Sequence, residues 1–265
     1  MKRAYLDAEL LLFQMAAANE FYTEWDRENY PDVYHYVCRI DEAKVLFWER
    51  INELKELLTG YDFVLAFGDK RSFRYRVWPH YKSNRRKQKH APAGLPEFKE
   101  WAKKQLDHVF LEDVEGDDVM GLLCRDLDVI VSDDKDMLTI PGLKLKGGEL
   151  IQTSEWAANF AFYSQVMIGD TADNYPGCKG IGKVKATQVL NKCKTEYEMW
   201  DAVLMTFLKA GFDLDYAISQ ARCARILRPG EYDLETRSPQ MWVPPICYGW
   251  STSYCDTTTR YSRTN

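Results

Sequence analysis

No apolar run in this 265-residue sequence approaches the roughly 20 consecutive apolar residues that a membrane-crossing helix requires. The N-terminus carries a basic pair, Lys2-Arg3, but Asp7 and Glu9 break the apolar stretch that follows, so no secretory leader is expected. There is no Cys-x-x-Cys pair. The seven cysteines stand singly at 38, 124, 178, 193, 223, 247 and 255, and the four histidines at 35, 80, 90 and 108 lack zinc-ligand spacing. Zinc ribbons and disulfide frameworks are therefore excluded, and free thiols in a reducing cytoplasm are expected. No internal repeat is evident. The G-x-x-x-x-G-K-[ST] phosphate loop is absent too, because Val184 follows Gly182-Lys183. With 46% hydrophobic and 28% charged residues, the chain is neither disordered nor fibrous.

Excess charge of one sign is also lacking, since 35 Lys+Arg against 40 Asp+Glu leave only -5. The charges are, however, segregated along the chain. Lys70 to His90 holds nine basic residues (Lys70, Arg71, Arg74, Arg76, Lys82, Arg85, Arg86, Lys87 and Lys89) and no acid, interleaved with Phe73, Tyr75, Trp78 and Tyr81. Asp107 to Asp136 holds eleven acids and only Arg125 and Lys135 as bases. Interleaved arginine and aromatic side chains suit phosphate contact and base stacking, which makes the first block a candidate nucleic-acid surface. The acids of the second block adjoin strongly apolar stretches, where merely solvated carboxylates are less expected.

Ala4-Tyr5-Leu6, Phe63 to Phe67 and Val129-Ile130-Val131 read as short buried strands. Each is followed closely by a carboxylate, at Asp7, Asp69 and Asp134. Apolar residues at helical spacing predict helices over 10–18, 41–58, 97–109 and 115–124. Lys144 to Gln152, with Gly147-Gly148 at its centre, predicts a β-hairpin. Beyond Thr153 the pattern is helical, over 156–168, 184–191, 196–210 and 214–228. The Thr/Ser-rich segment 246–265 reads as a loose tail. Strands alternating with helices predict an α/β fold with a mostly parallel central sheet flanked by helices.

Ligands of such sheets bind beyond the carboxyl ends of the strands. Three strand ends meeting there would gather Asp7, Asp69 and Asp134, whose mutual repulsion calls for cations. Glu115 and Asp118 share a helix face, Asp117 flanks them, Asp134 and Asp136 straddle Lys135, and Asp170 and Asp173 are three apart. Hard divalent cations prefer such oxygen ligands, which points to Mg²⁺. Between two predicted helices, Gly177 to Lys185 contains Gly180 and Gly182, where backbone can approach a phosphate closely, with Lys179, Lys183 and Lys185 adding charge. That is a sequence-independent grip on a nucleic-acid strand.

Taken in order, these motifs resemble the 5′→3′ exonucleases and flap endonucleases, most of all those of short-tailed bacteriophages. The resembling elements are Leu6-Asp7 with Phe13-Gln14, Val64 to Asp69, Pro79 to Arg85, Val114 to Gly121, Asp134-Lys135-Asp136, Gly169 to Asn174, the glycine hairpin, and Gln220 to Arg228. They run from about residue 4 to 245. Ala8-Glu9 stands where the family often has Gly, and the segment from Lys82 to Pro96 is short for the family's arch.

The resemblance implies a PIN-like 5′-nuclease domain over 1–166 with a basic arch segment at about 70–96. It implies a helix-hairpin-helix type DNA-binding region over 167–245, with its glycine hairpin at 177–182. Asp7, Asp69, Glu115, Asp117 and Asp134 would serve a first metal, and Asp136, Asp170 and Asp173 a second. With Asp118, these make nine candidate metal-site carboxylates. Lys82 and Arg85 would stabilise charge on the reacting phosphate, and Tyr81 would stack on substrate. Arg71, Arg74, Arg76, Arg86 and Lys87 would contact DNA, as would Lys179, Gly180, Gly182, Lys183 and Lys185. The implied cofactors are two Mg²⁺, with Mn²⁺ as a substitute, and K⁺ at the glycine hairpin. The implied substrates are DNA with 5′ ends, nicks or flaps and RNA–DNA hybrids, in primer removal, phage replication and host DNA degradation. The protein would be a monomer in the host cytoplasm. The alternatives are a PIN-type ribonuclease, which would lack the glycine hairpin, and a non-catalytic DNA-binding protein, which would gain nothing from acids beside phosphates.

Overall fold

The computed structural model describes residues 2–31, 33–87 and 90–245, and of 86 and 87 the backbone alone. The expected tail over 246–265, Lys89, and the side chains of Arg86 and Lys87 thus lie outside the described residues. In chain order the main elements are β1 (Lys2–Asp7), α1 (Ala8–Ala18), β2 (Glu20–Glu24), β3 (Tyr34–Cys38), α2 (Ile40–Leu57), β4 (Tyr61–Phe67), α3 (Arg74–Val77), α4 (Leu95–Ala102), β5 (Asp107–Phe110), α5 (Gly116–Leu123), β6 (Val129–Val131), β7 (Gly142–Lys146), β8 (Glu149–Thr153), α6 (Glu155–Ile168), α7 (Lys183–Leu190), α8 (Glu196–Lys209) and α9 (Leu214–Ala224).

The main sheet runs β5-β4-β1-β6-β7-β8, and every pairing in it is parallel except β7 with β8. Alternation along the inner strands divides the core. Ala4, Leu6, Phe63, Leu65 and Phe67 pack on one face with Ala43, Phe47, Ile51 and Phe98 of the flanking helices. Tyr5, Val64, Ala66 and Ile130 pack on the other face with Val119, Met120 and Met137. Because both faces are covered, the strands read as continuous apolar runs rather than as alternating ones.

A third core joins Phe162, Val166, Met167, Leu190, Met199, Val203 and Ala221 of the C-terminal helices. α6, which spans the expected division at 166/167, contributes to this core. The predicted helix over 97–109 is corrected: α4 ends at Ala102, and Asp107–Phe110 takes the open edge of β4 as a parallel strand. The last predicted helix stops at Ala224 rather than at 228. The Arg74 side chain bonds the carbonyls of Cys223 and Arg225, and Asp118 accepts from the Leu227 N–H, so these backbone groups are satisfied outside a helix. The antiparallel pair β2–β3 is an element the sequence reading did not anticipate.

Candidate active site

β4, β1 and β6 are neighbours in the sheet, so their carboxyl ends place Asp69, Asp7 and Asp134 side by side. Asp7 closes β1 and caps α1, its Oδ1 accepting from the Leu10 N–H at 3.0 Å. Its Oδ2 accepts from Ser132 Oγ at 3.0 Å, and that hydroxyl in turn accepts from the Asp134 N–H at 3.1 Å. One buried serine thus ties together the ends of β1 and β6. Gly68 runs backbone against backbone with Glu115-Gly116: a Cβ there would lie 2.3 Å from Glu115 C, so only glycine lets the Asp69 and Glu115 segments meet.

A cleft of about 870 Å³ opens above these strand ends and is lined by eight of the nine expected carboxylates: Asp7, Asp69, Glu115, Asp117, Asp134, Asp136, Asp170 and Asp173. The ninth expectation is corrected. Asp118 is fully buried and engages Arg74 through two hydrogen bonds, at 2.6 and 2.7 Å, while accepting from the N–H groups of Glu115 and Leu227. Arg74 is itself 2% exposed, so it is a buried clamp rather than a DNA contact. Tyr81 is 1% exposed and cannot stack on a substrate. Its hydroxyl donates to Asp173 and Glu115, at 2.8 and 3.1 Å.

Lys82 and Arg85 lie on the cleft. Lys82 Nζ is 2.7 Å from Glu115 Oε1 and 3.8 Å from Asp173 Oδ2, and Arg85 donates to Asp173 Oδ1 at 2.6 Å. Lys82 adopts φ +52, a costly conformation for a side chain-bearing residue, held by its N–H donating to the Asp173 carbonyl at 2.8 Å. Lys135, not anticipated as a site residue, lines the same cleft with Nζ 3.3 Å from Asp170 Oδ2. Its only sequence signal was its place between two acids. Arg71 and Arg76 are exposed, and Arg76 pairs with Asp113.

The electrostatics follow from these partners. Burial raises Asp7, with Asp134 and Glu9 adding to it. Burial, then Asp7, Asp134 and Glu115, raises Asp117 well above the usual carboxylate range. Asp136 is pushed up to about 6 by burial and by Asp134. Burial opposes ionisation of Glu115 as well, but Arg74 and Lys82 outweigh it and hold that carboxyl below its ordinary value. Among the described residues the cleft is lined by carboxylates and holds no histidine or cysteine, which suits a hard divalent cation and not a soft one. Among the described residues no three carboxylates already stand as a ready ligand group; Lys82, Arg85 and Lys135 hold several of them instead.

From Gly169 the chain turns through Asp170 and Asp173 and crosses itself at Gly177. A Cβ on Gly169 would lie 2.4 Å from Pro176 C, and one on Gly177 would lie 2.4 Å from Gly169 N. Gln220 of α9 is fully buried and accepts from the Gly177 N–H at 2.9 Å. Beyond the crossing, Gly180 and Gly182 face open space, and Lys179, Lys183 and Lys185 are exposed around them.

An acid-lined cleft beyond a parallel sheet, with lysine and arginine on its wall, suits chemistry on a phosphodiester. No known protein-family model matches the chain. The exonuclease of Escherichia phage T7 is 29% identical over 282 residues, covering 90% of this chain and 92% of that protein. The exodeoxyribonuclease of Enterobacteria phage T3 is 29% identical over 283 residues, with the same coverage. Among solved structures, the flap endonuclease of bacteriophage T5 in complex with DNA and metal ions aligns with a TM-score of 0.51 at 14% identity, covering 84% of this chain and 93% of that one. At that identity the structural likeness speaks for the fold alone. The chain is thus similar to phage exonucleases along nine-tenths of its length and shares the fold of a phage flap endonuclease, which supports a phosphodiesterase of the phage 5′-nuclease type.

Proposed function

We propose that the chain hydrolyses DNA from 5′ ends, nicks and flaps with 5′→3′ polarity, and RNA in RNA–DNA hybrids, as a monomeric Mg²⁺-dependent enzyme of phage replication, primer removal and host DNA degradation in the host cytoplasm. The observation that carries this reading is the convergence of eight carboxylates on one cleft, with Lys82 and Arg85 beside them. When bound, the divalent ions would activate the attacking water and stabilise charge on the attacking and leaving oxygens.

Asp7, Asp69, Glu115, Asp117 and Asp134 would hold the first ion, and Asp136, Asp170 and Asp173 the second, with Mn²⁺ able to replace Mg²⁺. Lys82 and Arg85, now on Glu115 and Asp173, would pass their donors to the reacting phosphate, where charge develops. The helical part would act as a helix-hairpin-helix module. The exposed backbone of Gly180 and Gly182, the nearby lysines and a K⁺ ion would grip the duplex without reading its sequence. Arg71, Arg76, Arg86 and Lys87 would contact the 5′ strand along the arch.

The test uses 5′-labelled nicked, flapped and single-stranded DNA, and the matching RNAs, with Mg²⁺ or with chelator. Mg²⁺-dependent release from DNA 5′ ends is expected. Cleavage that survives chelation would overturn the metal reading, and cleavage confined to single-stranded RNA would instead favour a PIN-type ribonuclease.

A further inference from the structure

Lys135 lies in the short 3-10 turn Lys135–Thr139, between Asp134 and Asp136. Its ammonium is 3.3 Å from Asp170 Oδ2 and 4.0 Å from Asp136 Oδ1. The other Asp170 oxygen, Oδ1, already accepts from the N–H groups of Ala172 and Asp173, at 2.7 and 3.2 Å. Lys135 therefore sits on the Asp170 oxygen that backbone donors leave open to an incoming ligand. Its side chain is 74% exposed, whereas that of Lys82 is 15% exposed and pinned between Glu115 and Asp173. The Asp170 side chain is only 9% exposed, but the lysine that meets it stands in solvent and can leave without being unpacked, which makes the pair readily exchanged.

We propose that Lys135 is a built-in counter-ion of the second-metal carboxylates, so that a divalent ion enters that half of the cleft only by displacing its ammonium group. This rests on the divalent-metal reading above. The exchange trades one positive charge for two among Asp136, Asp170 and Asp173. The long flexible stem keeps the displaced ammonium at the cleft mouth, where a substrate phosphate can take it up. The second ion then binds more weakly than the first, and Lys135 sets the difference.

Calorimetric titration of Mn²⁺ into the full chain without DNA tests this. Wild type, Lys135→Met, Lys135→Arg and Lys192→Met are compared, the last removing an exposed lysine outside the cleft. The weaker site should tighten by about fivefold in Lys135→Met and stay as in wild type in the other two, with the tighter site unchanged throughout. Equal weak-site affinity in wild type and Lys135→Met, or equal tightening in Lys192→Met, would overturn the proposal. A wild type that binds no divalent ion would overturn the metal reading itself and the proposal with it.

Discussion

The two halves of the acid cleft are built on opposite electrostatic plans. Asp7 and Asp134, at the sheet end, are served by backbone N–H groups and the Ser132 hydroxyl, and among the described residues no lysine or arginine pairs with them or with Asp117. Glu115, and Asp170 and Asp173 toward the helical part, are instead met by Lys82, Lys135 and Arg85. Burial and mutual repulsion accordingly raise Asp7 and Asp117, while Glu115, whose ionisation burial also opposes, is held low by Arg74 and Lys82. Asp7 and Asp117 need an external cation to ionise readily, whereas Glu115 has its own cations beside it. Carboxylates that look alike in sequence thus differ in what they demand, and the difference comes from long-range neighbours.

The comparison breaks most visibly at its uncompensated half. Asp134→Ala should lower single-turnover cleavage by about a thousandfold or more while gel-shift binding of flapped DNA survives. Near-normal turnover in that variant would remove Asp134 from the proposed metal site. Asp117 and Asp118, adjacent in sequence, sharpen the contrast next. Arg74→Met strands the buried Asp118 charge and should cost about 3–5 kcal/mol in denaturant unfolding. Arg74→Met with Asp118→Leu should recover much of that loss, and no recovery would mean that packing rather than charge dominates. Smaller again, Lys82→Ala should slow chemistry by about a hundredfold and weaken binding far less. Equal losses in single-turnover rate and in titrated affinity would make Lys82 a binding residue only.

The smallest effect is on stability against pH. Asp136 is raised to about 6 in the fold, and Asp7 and Asp117 are raised as well, so the folded chain holds these protons more tightly than the unfolded one. Their contribution is fully present at low pH and lost as pH rises through the folded values. Glu115, held low, works in the opposite sense. With chelator, lowering the pH from about 7.5 to about 5.5 should therefore raise unfolding stability by about 1 kcal/mol, and Mg²⁺ should flatten the trend. A chelated protein that loses stability over that range would show that the lowered carboxylates dominate.

The strands that carry Asp7, Asp69 and Asp134 were legible because each is an apolar run ending in an acid, a pattern that survives without tertiary context. β5 was not: four residues with exposed ends following a helix lack both the length and the apolar signal of an inner strand, and only the free edge of β4 selects them. β2 and β3 were missed because Phe21, Tyr22 and Tyr34 remain exposed, so no buried face marked the alternation. Eight of the nine acids were placed in the cleft from strand ends and spacing. The fate of the ninth, Asp118, depends on Arg74, 44 positions away, and no local pattern could show that pairing. The same burial removes Arg74 and Tyr81 from a block that composition alone made look uniformly exposed.

The crossing of Gly169 and Gly177 makes the loop a welded joint rather than a hinge. With backbone on backbone and no side chain between, there is nothing to repack. Gln220 tethers one strand of the crossing to α9 and the Asp170–Tyr175 bridge closes the loop. The spacing between the exposed glycines and Asp170 is thus a fixed length in the molecule, much as a ruler is, set by the two backbones rather than by anything that binds there.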